Sequence, residues 1–440
     1  MKDTPINFQI VESKIKESGI TRIGRASIRE LVRLVNNIEI ATGEKFIRME
    51  MGVPGLQPSS IGIDAEIKAL KNGVASVYPM IEGLDALKSE TSRFLKLFLN
   101  IEVNEAGCIP TVGSMQGACA SFMMTGRRDL VKNTTLFIDP GFPVQKQQHR
   151  VLNLPFKGFD VYEYRGAKLI DKLKSFLDQG NISALLYSNP NNPAWVCFTE
   201  NELQIIARLA KEYDVIVIED LAYFGMDFRK DYSKPGVPPY QPTIARYTDQ
   251  YLLLISSSKA FSYAGQRISM MVISDALFTR EFPALVPFFN SAKFGRAMIY
   301  GALYGLSAGT SHSAQYALAA MLKAANEGKF NFVESVSEYG RRAAEMKKLF
   351  TNNGFQIVYD RDMDEPIADG FYFTISYPGM TGEQLLEKLL YYGISAISLD
   401  ITGSERSEGL RACVSQVNPS RFGVLDARLK KFYEHHPLNQ

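Results

Sequence analysis

Between residues 135 and 273 the sequence alternates short, wholly apolar runs with stretches of helical periodicity. The runs fall at 135–138, 184–187, 215–218, 251–255 and 270–273. A strand with one wet face alternates polar and apolar residues, so strands without that alternation need cover on both sides. The pattern therefore predicts an α/β fold, with a mostly parallel sheet between two layers of helices. Helices are expected from capping boxes at Ser27/Glu30, Thr199/Glu202 and Thr381/Gln384, and from periodicity over 86–99. A short strand at 46–51 ends at Gly52-Val53-Pro54-Gly55. After about residue 320 weaker strands, at 370–376 and 410–414, lie among helices. The expected division is a large three-layer α/β/α domain over 54–320 and a smaller α+β domain. The latter is formed by 321–440 together with an N-terminal arm and helix, 1–53.

Composition removes several classes of function. Lys plus Arg number 49 against 47 Asp plus Glu, a net charge of +2, which gives no electrostatic reason to expect a nucleic-acid or membrane-surface partner. The 27 Phe and 21 Tyr exclude a disordered chain. The stretch 297–322 lacks charged residues, but Ser307, Thr310, Ser311, His312, Ser313 and Gln315 make it too polar to span a membrane. It is expected to be a buried segment. Cys108, Cys119, Cys197 and Cys413 are scattered, with no Cys-x-x-Cys pair and only four histidines in the chain, so no metal site is expected. Such cysteines suit a reducing, cytoplasmic location, and the first residues lack the apolar core of a signal peptide.

In open α/β sheets, ligands bind beyond the carboxyl ends of the strands. Three successive runs are followed by polar clusters: Ser188-Asn189-Pro190-Asn191-Asn192-Pro193, then Glu219-Asp220-Leu221-Ala222-Tyr223, then Ser256-Ser257-Ser258-Lys259. Singly, each has an ordinary explanation, since an Asp after a strand caps a helix and a loop Lys is solvated. Together they deliver Asn, Asp, Tyr, Ser and Lys to one sheet edge. Upstream, Thr111-Val112-Gly113-Ser114-Met115-Gln116-Gly117 opens an apolar helix, whose amides and dipole favour an anion.

Asn-Pro-x-Asn-Asn-Pro, Asp-x-x-Tyr and Ser-x-Ser-Lys, with Arg267 eight residues after Lys259, resemble the fold-type I pyridoxal-phosphate enzymes, the class I/II aminotransferases. Asn192 lies 28 residues before Asp220, and Asp220 lies 39 before Lys259, which suits that family. The resemblance implies that Lys259 holds pyridoxal 5'-phosphate as a Schiff base and later moves the substrate proton. It implies that Asp220 pairs with the ring nitrogen, that Asn192 and Tyr223 bond the phenolic oxygen, and that Phe142 stacks on the ring. Arg267, Ser256 and Ser258 match the phosphate cup, joined by Ser114, Met115 and Gln116 at the helix start. Arg411 matches the arginine for the substrate α-carboxylate, and Gly52 the glycine whose backbone approaches the substrate. Asn192 also falls among the substrate-binding positions. Tyr78 matches a tyrosine that crosses to a partner subunit, which implies a homodimer with shared sites.

Two departures stand out. The family usually reads Asn-Pro-Thr-Gly where this chain has Asn192-Pro193-Ala194-Trp195, and it usually has Gly at Ser269. Trp195, the only tryptophan, either lines the substrate site or packs beneath the loop. The resemblance implies transfer of an amino group from an L-amino acid to a 2-oxo acid. The alternative is a carbon–sulfur β-lyase or decarboxylase of the same fold. A cofactor-binding DNA regulator needs an added helical domain, and only about 25 residues precede the first family helix.

Overall fold

The structure, a computed structural model, describes residues 3–438. It forms two compact units, the larger comprising Leu56–Asn191 and Cys197–Val336. Its centre is a seven-stranded sheet. In chain order the strands are β1 (Cys108–Val112), β2 (Thr134–Asp139), β3 (Phe156–Asp160), β4 (Ile182–Ser188), β5 (Ile216–Leu221), β6 (Tyr251–Ser256) and β7 (Ile268–Ile273). Across the sheet they run β1-β7-β6-β5-β4-β2-β3. All pairings are parallel except those of β7, which runs against both β6 and β1.

The sheet is covered on both faces, as the unbroken apolar runs require. Leu252, Leu253 and Leu254 point to alternate faces, and all three are fully buried. Each contributes about 1.5–3 kcal/mol of hydrophobic stabilisation. Helix Gly113–Thr125 lies close because small residues face the sheet, and a Cβ on Gly117 would stand 2.9 Å from Leu254 Cδ2. Two strands, β1 and β3, go beyond the sequence expectation. Segment 297–322 is only partly buried: Met298, Ile299, Ala302 and Leu303 are in the core, whereas Tyr300, Tyr304 and Leu306 are exposed. The expected helix over 86–99 is α-helical over Asp85–Phe94 and widens to π geometry over Leu95–Leu99.

The smaller unit contains residues 3–55, 192–196 and 337–438. Its four-stranded antiparallel sheet runs Ile397–Ser398, Leu410–Cys413, Tyr372–Ser376, Gln356–Ile357. Strand Ile47–Arg48 pairs with Ile394–Ser395, which ties the N-terminal segment to the C-terminal one. Helix Ile28–Thr42 buries Leu31, Leu34, Val35 and Ile38, opens on the Ser27/Glu30 capping box and closes at Gly43 with φ 75°. The boxes at Thr199/Glu202 and Thr381/Gln384 also form. The sequence reading divides the chain at 53/54 and 320/321, whereas the units divide at 55/56 and 336/337. Helix His312–Asn326 accounts for the second difference, because it packs on helices Ser60–Lys71 and Asp85–Phe94 of the larger unit. Among the described residues no helix is long and apolar enough to cross a membrane.

Candidate active site

In the larger unit, the carboxyl ends of β5 and β6 bring Asp220 and the Ser256–Lys259 turn to one edge. Because β7 is reversed, its beginning lies at that same edge, and Arg267 immediately precedes it. Val112 pairs with Ile268, and the Gly113 amide donates to the Arg267 carbonyl at 3.0 Å. The arginine thus sits against the start of helix Gly113–Thr125. A Cβ on Gly113 would fall 2.3 Å from Arg267 Nη2, and Gly113 has φ +66°, so only glycine suits both the backbone and the space.

Val112, at the N-cap of that helix, makes no side-chain cap, so the first-turn amides of Ser114, Met115 and Gln116 are not taken by it. Gln116 instead accepts from the Val112 amide at 2.7 Å and donates to Ser307 Oγ at 2.6 Å. Met115 lends its carbonyl to Gln148 Nε2 at 2.9 Å. Ser256 Oγ accepts from the Ser258 amide at 3.1 Å and from Ser269 Oγ at 3.4 Å. The departure at Ser269 therefore adds a fully buried hydroxyl behind Ser256.

Asp220 is buried. Its Oδ1 accepts from the Ala222 amide at 3.1 Å and its Oδ2 from Gln145 Nε2 at 3.0 Å. Burial pushes its carboxyl up to about 6, against the two hydrogen bonds and the nearby Lys259 charge, which favour the ionised form. A carboxylate has about four lone-pair sites, so two donors leave room for a third. Gln145 escaped the sequence reading. It lies in the first turn of helix Pro143–Leu152, whose N-cap is Phe142, and its carbonyl takes His149 Nδ1 at 3.0 Å. The available signal was a polar residue three positions after Phe142 at a strand-to-helix junction. Lys259 and Phe142 are half-buried and Tyr223 is buried, while Tyr78 is 92% exposed.

Gly52, Asn192 and Arg411 belong to the smaller unit, so Asn192 departs from the expected 54–320 domain. The reason is local: Arg411 Nη1 donates to Asn192 Oδ1 at 3.3 Å. Arg411 Nη2 donates to the Glu50 carbonyl at 2.7 Å, and Nε is buried with no hydrogen-bond partner among the described residues. The guanidinium carbon lies 4.5 Å from the centre of the Tyr372 ring. Trp195 is fully buried at φ 64°, a left-handed conformation that costs a non-glycine residue about 1–2 kcal/mol.

The residues fit pyridoxal 5'-phosphate on this structure's own features. Gly113 lets the Arg267 guanidinium pack directly against a helix start that has no side-chain cap, a cation and free amides together, which suit a phosphate dianion. Asp220 offers a buried carboxylate with acceptor capacity left for a protonated ring nitrogen.

The chain is 24% identical to a probable aspartate aminotransferase of Methanocaldococcus jannaschii over 253 residues, which is 57% of this chain and 61% of that one. It is 22% identical to an aspartate aminotransferase of Pyrococcus horikoshii over 376 residues, 84% of each chain. A cystine lyase of Arabidopsis thaliana is 24% identical over 223 residues, half of each chain. Several of these alignments span less than two thirds of the relative, 43% for a nicotianamine aminotransferase of Oryza sativa. Among solved structures, an aspartate aminotransferase variant from Thermus thermophilus superposes with TM-score 0.75 at 16% identity, covering 92% of this chain and 97% of that one, a likeness of fold. The family model for aminotransferase class I and II matches residues 45–425. That match takes in Gly113, Asp220, Lys259, Arg267 and Arg411, and the chain belongs to the class I and II aminotransferases.

Proposed function

We propose that this chain is a pyridoxal-phosphate-dependent transaminase that moves the amino group of an L-amino acid to a 2-oxo acid. The observation that carries the reading is the grouping at one sheet edge of Lys259, the buried Asp220 and Arg267 against Gly113. When bound, the cofactor supplies an electron sink for the pair left on the substrate α-carbon. Arg267, Ser256, Ser258 and the amides of Ser114, Met115 and Gln116 hold its phosphate. Asp220 holds a proton on its ring nitrogen, and Tyr223 donates to its phenolic oxygen. Phe142 covers one face of the ring. Lys259 Nζ anchors the cofactor at rest and carries the substrate Cα proton once freed. Arg411, Asn192 and the Gly52 backbone receive the substrate, the arginine through its α-carboxylate.

The active unit in this proposal is a homodimer in which Tyr78 reaches the partner's phosphate site. Support comes from the exposed Ile63, Ile67 and Leu70 of helix Ser60–Lys71, and from Val77, Tyr78 and Met80. The location proposed is the cytoplasm. A carbon–sulfur lyase shares every cofactor residue, and the cystine lyase relative favours keeping it as the second reading. Borohydride reduction followed by peptide mapping tests the first step, with the label expected on Lys259; a label on another lysine refutes it. Half-transamination by individual amino acids, set against release of pyruvate from cysteine or cystathionine without an acceptor, separates the two reactions.

A further inference from the structure

Trp195 occupies a position where the family usually has glycine, and it keeps the left-handed backbone, φ 64°, that a glycine would adopt freely. A bulky residue held there is over-determined by its surroundings. Those surroundings are built for an indole. A Cβ on Gly370 would lie 2.0 Å from Trp195 Cε2 and 2.1 Å from Cζ2, so the ring rests directly on the Gly370 backbone. On another side it meets Tyr372, ring centroids 6.1 Å apart and planes at 70°.

Tyr372 in turn lies under the Arg411 guanidinium at 4.5 Å. Its hydroxyl reaches the Gly52 backbone, where a Cβ would stand 1.9 Å from Oη. The loop that carries Trp195 also carries Asn192, which accepts from Arg411 Nη1 at 3.3 Å. Asn192 thus holds the guanidinium at its edge, while Tyr372, backed by Trp195, lies at its face. What remains is the buried Nε donor, unpartnered among the described residues on an arginine 1% exposed. A stacked guanidinium keeps its donors in one plane, and a carboxylate needs that plane fixed.

We propose that Trp195 is a positioning residue for the substrate carboxylate: wedged between Gly370 and Tyr372, it fixes the plane of Arg411. The inference rests on the reading of Arg411 as the carboxylate donor. Glycine at 195 would leave a void the size of an indole beside Tyr372, into which the phenol would swing.

The test uses the holoenzyme and the amino acid that reacts fastest in half-transamination, together with its decarboxylated amine. KM and kcat are measured for both in wild type, Trp195→Phe and Gly370→Ala, the last driving a Cβ into the indole. KM for the amino acid should rise on the order of ten-fold or more, while KM for the amine stays within about two-fold and cofactor affinity holds. Because Trp195 is the only tryptophan, emission also reports without turnover. Acetate titrated into the apoprotein should change it saturably in wild type and not in Arg411→Lys. Equal rises for amino acid and amine, no rise in either variant, or emission indifferent to acetate would each overturn the wedge. Failure of the underlying reading looks different: no amino acid reacts, or Arg411→Lys leaves the preference for amino acid over amine at its wild-type value.

Discussion

Replacing Gln145 with leucine removes the side-chain amide that donates to Asp220 Oδ2 at 3.0 Å, while keeping comparable bulk. The site is buried, so water does not take the vacated position freely. A hydrogen bond to a charged acceptor is worth about 1.5–3 kcal/mol. At about 1.4 kcal/mol per pKa unit, its loss raises the Asp220 carboxyl by about one to two units. Burial already holds that carboxyl up to about 6, so the variant titrates at about 7–8 in the apoprotein. A carboxyl whose folded pKa lies above its unfolded value contributes stability at low pH and loses it as pH rises through the folded pKa. For wild type that loss falls between about pH 4 and pH 6. In Gln145→Leu it continues to about pH 8. The variant apoprotein should therefore match wild type near pH 5 and be less stable by about 1.5–3 kcal/mol near pH 8. The assay is thermal unfolding of both apoproteins across pH, with infrared titration of the buried carboxyl to assign the group. An Asp220 carboxyl that stays in place or moves down, or a stability gap independent of pH, refutes the reasoning.

Asp220→Asn should retain cofactor but lose about 100- to 1,000-fold in turnover, because an amide cannot hold the ring proton; kcat with cofactor occupancy checks it. Arg411→Lys keeps the charge but loses the planar fork, so kcat/KM for an amino acid should drop by about 1.5–3 kcal/mol while that for the decarboxylated amine holds. Gly113→Ala puts a methyl 2.3 Å from Arg267 Nη2 at φ +66°. Equilibrium dialysis should show weakened phosphate-dependent cofactor binding, and stability should fall by about 1–2 kcal/mol.

What the sequence disclosed follows from packing. Strands β4, β5 and β6 lie in the middle of the sheet, covered on both faces, and their aliphatic runs are unbroken. The edge strands left weaker traces. β3 carries Lys157 and Gly158 and pairs only with β2, so half-exposure allows a mixed sequence. β1 contains Pro110, which reads against a strand but is tolerated at an edge. The residues at the ends of the central strands were legible for the same reason as the strands themselves. Gln145 was not, because it reaches Asp220 across 75 residues of chain with no periodicity to announce it. The grouping of Asn192 with Arg411, 219 residues apart, is likewise a fact of folding alone. So is the placement of helix His312–Asn326, whose alanine-rich sequence suits either unit.

The reversal of β7 sets Lys259 and Arg267 at the two ends of one short connection, Ala260–Gln266, instead of on separate strands joined by a helical crossover. The separation between the Lys259 amine and the Arg267 guanidinium is then set by the length of a single loop. Asp220 and Lys259, by contrast, are separated by the long connection 222–250 between β5 and β6, where an inserted residue is absorbed far from the edge. An insertion between Ala260 and Gln266 has no such slack: it must shift one grip relative to the other. That loop is a ruler between the two groups, and in the proposed cofactor site its length is the dimension with the least freedom to change.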